Sequence, residues 1–219
     1  MSDEQLIERV KLAIENAETG VSRVSKAAMS VGGFTANGNR RVLNNLAKIV
    51  DTYCEVGVLR GASFVAANCN NKLRKSYAID TFEQDFGQPD NRSAFYQNLE
   101  SIAWKDMDTD FVILEKDCFS VTHEDIKEPI QLYFFDGPHD YESQKKAVAY
   151  YKQFMEDTFI MCTDDVIWRD TVYKGTMDGI KEANLEILYQ VELGRGIEGD
   201  NSENGFWNNM LITVLKKKK

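Results

Sequence analysis

Several features that would assign this 219-residue chain at a glance are missing from it. No stretch approaches the roughly 18 consecutive apolar residues of a membrane span. The chain opens on Met1-Ser2-Asp3-Glu4-Gln5, charged where a secretory signal is apolar, so a cytoplasmic protein is expected. Cys54, Cys69, Cys118 and Cys162 are widely separated with no C-x-x-C pair, which argues against a zinc site or a disulfide framework. Positive charge is scarce: 26 Lys and Arg face 35 Asp and Glu, for a formal charge of −9. That balance disfavours a nucleic-acid partner, whose backbone is held by Lys and Arg, and leaves a small molecule as the expected substrate. There are no internal repeats, and the only low-complexity segment is the Lys216–Lys219 tail, read as a solvated end. Two phosphate-binding signatures are absent as well. Leu59 stands where G-x-G-x-x-G needs its second glycine, and no G-x-x-x-x-G-K-[ST] loop occurs.

What is present has the length and 43% hydrophobic content of one well-buried α/β domain spanning residues 1–219. A helical segment over 1–48 is expected to precede an α/β core over 49–219. Ser2 and Gln5 have capping-box spacing, and Leu6, Ile7, Val10, Ala13, Ile14 and Ala17 recur at helical spacing, predicting a helix to about Glu18. A second helical stretch, a glycine-marked loop over 31–38 and a helix over 40–48 follow. Strands and helices then alternate: strand 52–56, helix 61–69, strand 76–79, helix 91–103 capped by Asp90, strand 110–114, strand 130–135, helix 141–156 and strand 158–163. Such alternation implies a doubly wound, mostly parallel sheet. After a helix near 173–183, runs 185–191 and 209–215 are joined without a helix and should pair antiparallel.

The residues that carry chemistry fall at strand ends. The first strand ends in Glu55 and runs into a turn with Gly57 and Gly61, and 25 residues after Glu55 the next strand ends in Asp80. A glycine turn lets backbone approach a ligand, and an acid at the neighbouring strand end can accept both hydroxyls of a ribose. The E-x-G-x-x-x-G spacing favours a nucleoside cofactor without phosphates. The strand 131–135 delivers Asp136 and His139, and the strand 159–163 delivers Asp164 and Asp165. Carboxylates so gathered need a cation or protons, and oxygen ligands suit Mg²⁺ or a similar hard ion. His139, with an ordinary pKa near 6.5, suits a base at neutral pH, whereas His123 reads as a surface or capping residue. Asp117 is open to two readings, a contact to adenine with Cys118 beside the ring, or a helix cap. Phe34, Thr35, Trp168, Arg169 and the acidic, aromatic stretch from Asp80 to Gly87 are candidates for the acceptor pocket or a cofactor cover.

The turn at Glu55, Gly57 and Gly61 resembles motif I of the class I S-adenosylmethionine-dependent methyltransferases. Phe135-Asp136-Gly137-Pro138-His139-Asp140-Tyr141 is similar to the F-[ID]-D-G-x-H-x-Y signature of small-molecule methyltransferases that include macrocin O-methyltransferase, and the 28-residue step from Asp136 to Asp164 resembles catechol-type O-methyltransferases. The resemblance runs from about Gly32 to the C-terminus. It implies a seven-stranded Rossmann-like sheet with a reversed last strand. It further implies S-adenosylmethionine held by Glu55, Gly57, Gly61, Ser63, Asp80, Thr81, Asp117, Cys118 and Asp136, and Mg²⁺ held by Asp136, Asp164 and Asp165. His139 takes the base role, and a sugar, phenol or polyketide hydroxyl is the acceptor. Two departures stand out. An Asp-Asp pair replaces the Asp-Asn of catechol-type enzymes, and Pro138 stands where a polar residue is common. Competing readings are a related hydroxylase, an NAD-dependent oxidoreductase and a non-catalytic nucleoside-binding module. The N-terminal helices could also form a homodimer contact.

Overall fold

Alternation within each apolar run decides which face of the sheet a side chain joins. All five residues of β1 (Thr52–Val56) are buried. Tyr53 enters a core shared with Ala78, Leu132, Phe134, Ile160 and Cys162, while Cys54 and Val56 enter a second core with Tyr77, Ile79, Tyr133, Phe135 and Met161. A strand covered on both faces belongs at the centre of a parallel sheet. The computed structural model of the protein, which describes residues 1–84, 87, 90–103 and 109–218, places it there.

The other strands are β2 (Lys75–Asp80), β3 (Asp110–Glu115), β4 (Ile130–Phe135), β5 (Met155–Thr163), β6 (Leu185–Leu193) and β7 (Met210–Lys217). Together the seven form one sheet in the order β3-β2-β1-β4-β5-β7-β6. The first five run parallel, and β7 is antiparallel to both β5 and β6. The expected doubly wound sheet with a reversed last strand is therefore the fold. The helices are α1 (Asp3–Glu18), α2 (Lys26–Met29), α3 (Asn37–Ala47), α4 (Ala62–Asn68), α5 (Asn91–Asn98), α6 (Tyr141–Tyr151) and α7 (Lys174–Glu182). Val10 of α1, Leu43 of α3, Phe64 of α4 and Phe95 of α5 pack on one face. Val148 and Tyr151 of α6 and Ile180 of α7 cover the other. Among the described residues no helix is long and apolar enough to cross a membrane.

Local signals explain most boundaries. The α1 capping box forms, with Ser2 accepting from the Gln5 amide and the Gln5 side chain accepting from the Ser2 amide. Asp90 and Asp140 cap α5 and α6 by accepting from the amides of Ser93 and Ser143. Three boundaries differ from expectation. The α3 helix begins at Asn37, inside the expected loop, because Gly38 serves close contact rather than flexibility: its amide donates to the Gly205 carbonyl, which a Cβ there would overlap. The α6 helix ends at Tyr151, and Phe154 and Met155, although buried as the helical pattern requires, lie in a 3₁₀ turn and at the start of β5. Past Asn98 the α5 helix widens into a π-turn over Leu99–Ala103.

Candidate functional site at the carboxyl edge of the sheet

Strand pairing continues past the formal strand ends and brings the loops together. The Gly57 amide donates to Ile79 (2.9 Å), the Asp136 amide to Val56 (2.9 Å) and the Asp164 amide to Phe135 (3.2 Å). The carboxyl ends of β2, β1, β4 and β5 are thereby locked side by side, the edge at which open α/β sheets bind ligands.

The turn from β1 into α4 is built on left-handed backbone, with φ of 86° at Gly57, 46° at Leu59 and 81° at Gly61. At Gly57 a Cβ would overlap the Asp136 carbonyl, so this glycine is what lets β1 and β4 finish so close together. At Gly61 a Cβ would press on the Phe95 ring at 3.0 Å. Asp80 closes the turn from below: its two oxygens accept from the Leu59 amide and the Phe82 amide, each at 2.8 Å. Each oxygen keeps a lone pair beyond that one bond, so the donor set fits a ribose diol. Glu55 is placed differently. It is wholly buried, and Tyr53 and Ser63 both donate hydroxyls to its carboxylate. Burial pushes its pKa up to about 8, against those two hydrogen bonds.

This has a consequence for stability. With an unfolded pKa of about 4.3 and a folded value near 8, the folded state binds more protons between those limits. Stability is then expected to fall as pH rises from 5 to 8, by up to about 1.4 kcal/mol per unit from this group. Glu55→Gln should flatten the slope, as read by urea unfolding across that range. Equal slopes in the two proteins would show that Glu55 is ionised in the fold.

Asp136, His139 and Asp165 each contribute one atom to a group lying within 4.8 Å of one another. His139 Nε2 is 3.0 Å from Asp165 Oδ2 and 3.5 Å from Asp136 Oδ1. It is screened from solvent yet has no aligned hydrogen-bond partner among the described residues. Its ring lies 4.9 Å from that of Trp168. Burial, then the neighbouring acids Asp165 and Glu55, push Asp136 well above the usual carboxylate range. Burial, then Asp136 and Asp165, do the same to Asp164. Asp165 is also raised by burial, with His139 and Asn208 opposing, while burial lowers His139 against the pull of Asp165. Carboxyls that resist ionisation beside an unpartnered imidazole nitrogen fit a divalent cation, which would supply the missing positive charge.

The remaining sequence candidates are spread more widely. Ser63 spends its hydroxyl on Glu55. Thr81 is exposed, and its hydroxyl accepts from the Glu83 amide (3.3 Å). Asp117 caps the 3₁₀ turn Cys118–Ser120 by accepting from Phe119 (2.7 Å), the cap reading of that residue, and Cys118 is buried beside it. Trp168 reaches the site through His139, whereas Arg169 is engaged by Glu192 in two hydrogen bonds of 2.7 and 2.6 Å. Phe34 meets Trp207 at 6.3 Å. His123 is exposed and packs edge-on to Phe154, as a surface residue. Asp85 and Phe86 of the expected cover loop lie outside the described residues.

Two asparagines that the sequence reading passed over complete the site. Asn39, fully buried in α3, donates to Asp164 Oδ1 (3.1 Å), and Asn208, just before β7, donates to Asp165 Oδ1 (2.7 Å). The Asn208-Asn209 pair in a glycine-rich loop was the available signal, since asparagine tolerates the left-handed φ of 50° and 60° found there. Nothing local marks Asn39.

Residues 54–166 match the family described as "Methyltransferase domain". No curated protein matches the sequence at a significant level. Among solved structures, the chain is similar to an O-methyltransferase from Bacillus cereus in complex with S-adenosylhomocysteine, at 12% identity and TM-score 0.53, covering 98% of this chain and 92% of that one. It is similar to a precorrin 8w decarboxylase from Methanobacterium thermoautotrophicum at 18% identity and TM-score 0.54, covering 86% and 94%. It is also similar to a ribosomal protein L11 methylase from Lactobacillus delbrueckii at 12% identity and TM-score 0.51, covering 84% and 79%. At such identities the likeness is one of fold. The family match spans more than half of the chain and covers the glycine turn, Asp80, Asp136, His139 and both acids after β5. On these grounds the chain belongs to the class I, S-adenosylmethionine-dependent methyltransferases.

Proposed function

We propose that the protein transfers a methyl group from S-adenosylmethionine to a hydroxyl of a small molecule, with His139 as general base and a divalent cation held at Asp136 and Asp165. The observation that carries this reading is the unpartnered Nε2 of His139 facing two carboxylates at the edge where the glycine turn and Asp80 lie. Asp80 would hold the ribose, and the backbone around Gly57 and Gly61 would border the methionine part. The acceptor oxygen attacks the sulfonium methyl, a C–O bond forms as the C–S bond breaks, and S-adenosylhomocysteine leaves with the sulfur electron pair. The hydroxyl proton passes to His139 as the C–O bond forms. A cation bound there would lower the pKa of the hydroxyl and fix its direction. The Bacillus cereus neighbour, an O-methyltransferase, supports a hydroxyl acceptor, and the net charge of −9 supports a small molecule over a nucleic acid.

The test is methyl transfer to a panel of phenols, sugars and polyketides with and without thorough chelation. Transfer should be lost in EDTA and restored by Mg²⁺, while S-adenosylhomocysteine affinity measured by calorimetry stays the same, since the two sites use different strands. Undiminished transfer in EDTA would remove the cation from the reaction. Transfer confined to amine or carbon acceptors would overturn the hydroxyl assignment.

A further inference from the structure

The adjacent acids Asp164 and Asp165 are held by two asparagines that turn them in different directions. Asn208 accepts from the Gly199 amide at its Oδ1 (2.7 Å), so its Nδ2 faces Asp165, where it donates to Oδ1 and leaves Oδ2 toward His139. Asn39 accepts from the Trp207 amide at its Oδ1 (2.8 Å), so its Nδ2 faces Asp164. Each amide is thus oriented by a bond at its other end, and the hydrogen-bond network leaves no freedom to exchange oxygen and nitrogen. The backbone fixes the same frame: the Ile167 amide donates to the Asn208 carbonyl (3.0 Å), the Trp168 amide to the Asp165 carbonyl (3.1 Å), and Asp165 itself is left-handed at φ 59°. Asp165 belongs to the converging donor group with Asp136 and His139, and Asp164 does not.

We infer that the two acids have separate duties: Asn208 is a positioning residue that aims Asp165 at the cation, while Asn39 ties Asp164 to α3 and so anchors the N-terminal helices to the end of β5. The inference rests on the cation reading above and adds the residue that makes it selective between neighbours in sequence. A carboxylate pinned at one oxygen offers the other without losing rotational freedom on binding, which is how residues behind a metal ligand strengthen it.

The experiment is calorimetric titration of the full chain, stripped of metal, with Mn²⁺ alone. Asn208→Gly keeps the left-handed backbone and removes the amide. It should weaken Mn²⁺ binding roughly 10–100-fold, as should Asp165→Asn. Asn209→Gly is the structural control, because Asn209 is also left-handed and also ties this loop, through Gly196 (3.0 Å) and Glu192 (2.7 Å), without facing the acids of the site. It should bind as the wild type does, and so should Asp164→Asn. Wild-type affinity in Asn208→Gly would overturn the positioning role and leave the cation reading standing. A loss in Asp164→Asn equal to that in Asp165→Asn would overturn the division of duties. Absence of Mn²⁺ binding by the wild type would overturn the cation reading, and this inference with it. Should Asn208→Gly not fold, Asn208→Ser, too short to span to Asp165, is the variant to titrate, with the same outcomes.

Discussion

His139→Ala is expected to lower the rate of methyl transfer roughly 10²–10⁴-fold with any hydroxyl acceptor the wild type uses, the loss typical of removing a general base. S-adenosylhomocysteine binding should be unchanged by calorimetry, since the contacts of His139 are to Asp165, Asp136 and Trp168. The pH profile should carry the same signature. Burial holds His139 below its ordinary value, so its neutral, proton-accepting form prevails at pH 7 and is lost as pH falls through that lowered pKa. The acid limb of kcat should therefore lie below about 6.5 in the wild type and vanish in the alanine variant. A loss smaller than tenfold would place the proton elsewhere, and a retained acid limb would assign that limb to another group.

The largest effect on stability is expected at Gly57. The sequence alone suggests that Gly57→Val would block the cofactor and spare the fold. The structure gives a different expectation, because the first obstacle a side chain meets there is the Asp136 carbonyl, within the protein itself. Valine would also be forced to a φ of 86°, a conformation that β-branched residues avoid. Strain and overlap together should cost more than about 4 kcal/mol, read as a drop in the urea midpoint, and cofactor binding should be lost along with it. A variant as stable as the wild type would show that β1 and β4 can separate at their ends at little cost. Gly61→Ala should cost less, since its Cβ would press on the Phe95 ring at 3.0 Å and touch Val65 at 3.5 Å, side chains rather than backbone, with the left-handed φ of 81° adding its own strain.

The order of strands and helices was legible because each apolar run has the length and period of its element, and because glycines and Asp90 punctuate them. The reversed last strand could be read from the missing helix between residues 191 and 209. The candidate site was legible in its acids and its histidine, since a parallel sheet delivers strand ends to one edge whatever the side chains are. Roles within that set were less so. Glu55 has the position of a cofactor contact, yet its side chain points into the core and is tied to Tyr53 and Ser63. Asp117 has equal claims as cap and contact in sequence, and the Phe119 amide, two residues on, takes it as a cap.

By itself, the sequence determined the fold, the glycine turn and the edge at which acids and histidine gather, because these depend on local periodicity and on the parity of residues along each strand. Only the tertiary structure decided which of two adjacent acids faces the histidine. That choice depends on Asn39 and Asn208, which lie 125 and 43 residues along the chain from the acids they hold. A side chain's direction at a strand end is set by hydrogen bonds across such distances, and no local pattern encodes them.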